Sequence, residues 1–194
     1  NRGINNTSLI ENLLTYKLEL NKHTFDLLGG ITYQYDRGEG IYASARGLTM
    51  PYYPNFEQAP AEGKTVSSGY QESNIFSYLG RLNYNFQNKY LVEAVVRIDG
   101  SSRLKKGNYF GTFPGVSVGW NLHKEDFYQR TGLPKYISTI KPRLSYGVNG
   151  NVNSLGLYAT AQVFNNAGTY NGAGGTYVAS YINSDLRWER TNSL

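Results

Sequence analysis

Apolar side chains recur at every second position through six separate segments of the sequence, a period that a pleated strand satisfies and a helix does not. Leu14, Tyr16, Leu18 and Leu20 share one parity against Thr15, Lys17 and Glu19. Phe25, Leu27, Ile31, Tyr33 and Tyr35 oppose Thr24, Asp26, Thr32 and Gln34 in the next segment. The pattern returns at Tyr78–Phe86, at Tyr90–Ile98, at 111–120 and at Pro142–Val148, and a seventh segment begins near Leu186. The stretch GTFPGVSVGW (111–120) makes the division plain. Thr112, Pro114, Val116, Val118 and Trp120 fall on one face, and Phe113, Gly115, Ser117, Gly119 and Asn121 on the other.

Glycine weakens a strand wherever it stands, and a soluble sandwich seldom backs its core-facing row with a row so small and polar. A barrel in lipid inverts the arrangement, with apolar residues outward to hydrocarbon and polar residues toward a wet or filled lumen. On that reading the Gly, Ser and Asn positions face a lumen in which another body fits closely. The connections agree, because tight turns at Asn21-Lys22 and Gln87-Lys89 alternate with long loops at 36–69, 100–110 and 150–185. Only the connector at 122–140, where Glu125–Tyr128 suggest a short helical turn, departs from the size rule. Short turns at one end and long loops at the other is the asymmetry of outer-membrane barrels, and segments of about ten residues suffice for a tilted crossing. Tyr33, Tyr35, Phe86, Tyr90 and Trp120 stand near segment ends, where interfacial aromatic belts form. The expected fold is all-β, an antiparallel transmembrane β-barrel segment of about seven strands. Eighteen Tyr and 22 Gly beside one Met support a sheet over a helical core. The mean hydropathy of -0.49 and the lack of any run near eighteen apolar residues exclude a spanning helix and are silent on spanning strands.

Other chemistries find little support. No cysteine is present. His23 and His123 are far apart and lack clustered partners, so no metal and no cofactor is expected. The formal charge of +5 is scattered, and its one run, Lys105-Lys106 beside Arg103, reads as a solvated loop, not a nucleic-acid site. Glu125-Asp126 are neighbouring acids in a connector, and Asp99-Gly100-Ser101-Ser102-Arg103 has turn chemistry with no histidine nearby. The Gly-Glu-Gly at 38–40 lacks the strand-turn-helix frame of a phosphate loop. No catalytic residues are assigned, and an enzyme is not expected.

Four blocks carry a resemblance: GRLNYNFQNKYLVEAVVRIDGSSRL (80–104), YFGTFPGVSVGWNLHKEDF (109–127), KPRLSYGVNGN (141–151) and SDLRWER (184–190). In this order and spacing the chain resembles the SusC/RagA family of TonB-dependent outer-membrane transporters of Bacteroidota. Leu104 and Ile98 depart from the commoner residues of those blocks. The resemblance implies a 22-stranded barrel closed by an amino-terminal plug, a SusD-like surface lipoprotein over the extracellular loops, and TonB-driven import of oligosaccharides or peptides through the cell outer membrane. Residues 1–194 would then be part of the barrel domain, with plug, TonB-contacting part and signal peptide absent, and the segment would not fold alone in water. Loop aromatics Tyr52, Tyr53, Phe56, Tyr109, Tyr170 and Tyr177 are candidates for stacking on substrate or packing on the lipoprotein, against the alternative that they only order the loops. Arg81, Asn83, Glu93, Arg97, Ser117, Arg143 and Asn149 have lumen parity, and contact with the plug is the favoured role over contact with substrate. A secreted soluble β-sandwich carbohydrate-binding module is the competing reading, and it requires the apolar rows to be buried between two sheets.

Overall fold

The computed structural model describes residues 2–48, 52, 55–131 and 135–194, with the side chains of 166, 170 and 180 excepted. Nine strands are found among them: β1 (Arg2–Leu20), β2 (His23–Ala45), β3 (Lys64–Phe86), β4 (Tyr90–Ser101), β5 (Phe110–Trp120), β6 (Arg143–Asn151), β7 (Val163–Tyr170), β8 (Ala173–Ser180) and β9 (Glu189–Ser193). One short helix, α1 (Asp126–Gln129), lies in the β5–β6 connector where the helical turn was expected. Seven strands form a single antiparallel meander in the order β1-β2-β3-β4-β5-β6-β9, and β7 pairs with β8 in a separate hairpin.

Three expectations are corrected by this layout. The connection placed at 36–69 is nearly half strand, because β2 and β3 stay paired from His23↔Phe86 to Ala45↔Lys64. In the same way β1 begins at Arg2, not Ile10, and pairs with β2 as far as Ile41. The stretch 150–185 is not simply loop, since it carries β7 and β8. Their turn is Asn171-Gly172, both at positive φ (47° and 79°), the backbone that a tight hairpin of matching twist demands. At about 3.3 Å per residue, the 23 residues of β2 or β3 exceed what a tilted crossing needs, so these strands run well beyond a bilayer on the loop side.

Among the described residues no second sheet is stacked upon the seven-stranded one. Ala59, Leu104, Phe113, Tyr128 and Val152 are the buried apolar residues among those described, and the total exposed area is 14235 Å². A compact monomer of this mass exposes roughly 9,200 Å². The excess is apolar surface that lacks a protein partner in this chain, including Leu14 at 77 % exposure and Val116 at 47 %. The sandwich reading is therefore not favoured. Register confirms that the exposed apolar rows form one continuous face: Leu18↔Phe25, Phe25↔Tyr84, Tyr84↔Val92, Val92↔Val118 and Val118↔Leu144 run across six strands. The opposite face is the partly sheltered one: Ser73, Ser77, Asp99, Ser101 and Phe113 are buried there, while Arg81, Glu93, Arg97, Arg143 and Asn149 on the same face are exposed.

At the turn end, the apolar face finishes in a row of rings. Phe25 meets Tyr84 at 4.9 Å between centroids, His23 meets Phe86 at 4.7 Å, and Phe86, Tyr90 and Trp120 follow at 6.2 and 6.4 Å. Rings with polar tips suit the layer between hydrocarbon and water. His23 belongs to this row, with Nδ1 2.8 Å from the Tyr84 hydroxyl, and sequence reading missed it.

The connector 121–142 is drawn to the same end by polar contacts. Asn121 N–H donates to the Lys89 carbonyl at 2.7 Å, and its side-chain amide donates to the Asn88 carbonyl. Lys89 Nζ lies 3.0 Å from Glu125 Oε2, while Trp120 Nε1 donates to Glu125 Oε1 at 3.1 Å. Donation from Lys89 first, then from Tyr90 and Trp120, holds the Glu125 carboxyl below its ordinary range. A carboxylate with a lowered folded pKa stabilises fully above the ordinary carboxylate range and loses that contribution as pH falls through the folded value. Glu125→Gln is thus expected to lower the thermal midpoint at neutral pH, with the gap from the parent protein closing below about pH 4. Melting curves of the receptor in detergent across pH check it, and a gap that persists in acid would reject the assignment.

Candidate functional site

The sheltered face carries the polar residues singled out in the sequence. Asn83↔Glu93, Glu93↔Ser117 and Ser117↔Ser145 place one polar row across four strands, and Arg143 stands opposite Gly119 nearer the turn end. Arg81 pairs in register with Val95, and Arg97 lies between Leu79 and Phe113. Arg97 Nε donates to Asp99 Oδ1 at 2.7 Å; the carboxylate is mostly buried and the guanidinium half exposed. A cavity of about 310 Å³ brings Arg97, Asp99 and Asn149 together around Phe113.

Phe113 also refines the meaning of the glycines. Its ring meets Trp188 edge to face at 5.2 Å between centroids. A Cβ at Gly111 or at Gly150 would collide with that ring. At these two positions the close neighbour is therefore a side chain of the same sheet, and not another body.

The loops above this face are tied together by contacts that sequence alone did not suggest. Arg103 is half-buried, and its Nη1 donates to the Leu155 carbonyl at 3.2 Å and to the Val152 carbonyl at 3.5 Å. Thr160 Oγ1 donates back to the Arg103 carbonyl, and Trp188 Nε1 donates to the Tyr109 carbonyl at 2.9 Å. Leu104 and Val152 are the buried apolar residues beneath these bonds. The solvated-loop reading holds for Lys105 and Lys106, which are exposed, and fails for Arg103, whose fork of donors fits two carbonyls. The turn expected over Asp99–Arg103 is confined to Ser102 and Arg103: Asp99, Gly100 and Ser101 lie in β4, and Arg103 N–H donates to Ser101 Oγ just past the strand end.

The loop aromatics are not gathered into one platform. Tyr52 is 86 % exposed, Phe56, Tyr109 and Tyr177 are exposed to lesser degrees, and no ring contact joins any of them among the described residues. Tyr53 and the Tyr170 side chain lie outside the described residues. Gly38-Glu39-Gly40 sits inside β2, a regular strand, which removes the phosphate-loop geometry altogether. No cluster of metal-ligating side chains is found among the described residues.

Beyond the apolar belt, β2 and β3 carry charged and hydroxylated residues on the outer parity. Arg37 is paired with Glu39 and stands 5.4 Å from the Tyr70 ring centroid. Tyr35 and Tyr70 both donate to Glu72 Oε2, at 2.9 and 2.7 Å. Donation to that carboxylate pushes the Tyr70 hydroxyl up to about 12 and holds Glu72 below its ordinary range.

A single antiparallel meander with one apolar face, an aromatic row at its turn end, two tight turns and one longer connector below and loops above is the wall of a membrane β-barrel. No family model matches the sequence. Curated relatives do: the chain is 35 % identical over its whole length to TonB-dependent receptor P3 of Formosa agariphila, and 31 % identical over 92 % of its length to TonB-dependent receptor SusC of Bacteroides thetaiotaomicron. It spans about a fifth of those relatives, 19 % and 18 % of their lengths. The solved structure of the RagAB peptide transporter superposes on 98 % of this chain with a TM-score of 0.87 at 24 % identity, covering 21 % of that chain. The chain belongs to the SusC/RagA family of TonB-dependent receptors and is a piece of a larger barrel.

Proposed function

We propose that this chain is barrel wall from an outer-membrane transporter that imports oligosaccharides or peptides, working with a SusD-like lipoprotein and powered through TonB. The observation that carries the reading is the unpartnered apolar face, from Leu14 to Leu144, bounded by rings at its turn end. Hydrocarbon is the surrounding that such a face requires. The two free edges, β1 and β9, support a larger closed barrel, since each unpaired backbone group in lipid costs on the order of several kcal/mol.

On this reading residues 1–194 are all barrel domain, and the sheltered face looks inward. Arg81, Asn83, Glu93, Arg97, Ser117, Arg143 and Asn149 then meet an amino-terminal plug, with charged and amide groups suited to a removable polar contact. Tyr52, Phe56, Tyr109 and Tyr177 stand at the loop end, where they would meet substrate or the lipoprotein, and Tyr53 and Tyr170 are proposed for the same role. The expected result is that deleting the receptor gene abolishes uptake of its oligosaccharide or peptide nutrient, that the full-length receptor restores it, and that collapsing the inner-membrane proton gradient abolishes it again. Uptake that survives gradient collapse would overturn the TonB-driven reading.

A further inference from the structure

On the sheltered face, high on the loop side, two adjacent register rows cross β1, β2 and β3. Asn5↔Gly38↔Gln71 is the upper row and Thr7↔Asp36↔Ser73 the lower. Together with Arg103 and Leu157 from the loops they line a cavity of about 260 Å³. We infer that this cavity is a binding subsite for one neutral, hydroxyl-rich unit, a sugar residue of an oligosaccharide.

Three features carry the inference. Gly38 is buried, and a Cβ there would stand 2.8 Å from Asn5 Oδ1 and 2.9 Å from Gln71 Nε2. The space left by the missing side chain is where two primary amides from flanking strands converge over β2. Among the described residues neither amide is engaged by another side chain, so each offers a carbonyl acceptor and two N–H donors to a visitor. Sugar hydroxyls, which both donate and accept, match that mixed set.

The second feature is charge. The cavity is lined by two acids, Asp36 and Glu72, and two bases, Arg37 and Arg103, so its formal charges cancel. Asp36 accepts from Thr7 Oγ1 at 2.7 Å and from Gln34 Nε2 at 2.8 Å, Arg103 donates to two carbonyls, Arg37 is paired with Glu39, and Glu72 accepts from two tyrosines. With no net charge the lining does not favour a phosphate, a sulfate or a peptide terminus over a neutral unit. The third is size and shape. The volume falls just under the roughly 300 Å³ at which sites for drug-sized ligands begin, so a single small unit fits. With Leu157 as its only apolar side chain, the cavity offers no pocket for the side chains of a peptide.

The inference rests on the importer reading and narrows its substrate class, and the test separates the two. Purified full-length receptor is titrated calorimetrically with short neutral malto-, cello-, xylo- and manno-oligosaccharides, with their sulfated counterparts, and with a mixed oligopeptide pool. At least one neutral oligosaccharide is expected to bind, and Gly38→Ala to weaken it by about tenfold or more as the two amides are displaced, with barrel assembly on a heat-modifiability gel unchanged. Gln71→Ala is the second variant, should Gly38→Ala fail to assemble, with the same loss expected. Binding of oligopeptides or sulfated glycans alone, or a neutral glycan held equally by parent and both variants, overturns the subsite while gradient-dependent uptake leaves the importer reading standing.

Discussion

Val116→Arg is expected to cost about 2–4 kcal/mol of barrel stability, while Ser117→Arg, one residue along the same strand, changes it by no more than about 1 kcal/mol. The two positions point to opposite faces of β5. Val116 lies at 47 % exposure between Ala94 and Tyr146, about midway between the ring row at Tyr90 and Trp120 and the far limit of the apolar belt at Phe76 and Tyr33. At that depth a guanidinium has neither water nor a carboxylate in reach, and the bilayer must thin or the side chain stretch to its edge. Ser117 lies between Glu93 and Ser145, where an arginine gains an acidic neighbour. Denaturant unfolding of the full-length receptor in lipid vesicles measures both. Equal losses at the two positions, or a larger loss at Ser117, would mean that the faces have been assigned the wrong way round.

Phe113→Ala is expected to cost about 3–5 kcal/mol, the range for removing a buried aromatic ring from close packing. Phe113 is 7 % exposed and holds Trp188 against the wall, so its loss also frees the Trp188 indole whose Nε1 reaches the Tyr109 carbonyl. The conjugate change is Gly150→Val, which drives methyl groups into the Phe113 ring from the facing side. If ring packing is the cause, Gly150→Val should destabilise the parent markedly and the Phe113→Ala background much less, because the space has been vacated. Additive losses in the same unfolding assay would show that the two residues act independently, and the packing account would fall.

The fold was legible where one face is dry. Each segment from Leu14 to Val148 that lies within the bilayer needs an apolar residue at every second position, and this need writes itself into the sequence with a period of two. The tight turns are legible too, because Asn21 and Asn88 take positive φ, 54° and 55°, a region in which asparagine is enriched over most other side chains. The Asn-Gly at 171–172 carried the same signal for the β7–β8 hairpin, and it was passed over amid glycines that surround it on both sides.

The upper halves of β2 and β3 were not legible, and the candidate subsite went with them. Beyond the membrane both faces of a strand are wet, so Tyr42-Ala43-Ser44 and Thr65-Val66-Ser67 alternate nothing, and their pairing rests on backbone hydrogen bonds that any side chain permits. Residues such as Asn5, Asp36 and Gln71 are common surface polar groups until register sets them side by side. Arg103 reads as one more loop cation until the folded chain brings the Val152 and Leu155 carbonyls within its reach.

What the sequence determined by itself, then, was which residues face lipid and how often the chain turns, since solvent contrast acts on each strand separately and leaves a local pattern. Which polar groups converge was decided only by tertiary structure. Convergence depends on register between strands distant in the chain, and the ladder of backbone hydrogen bonds that sets this register is blind to the side chains it aligns.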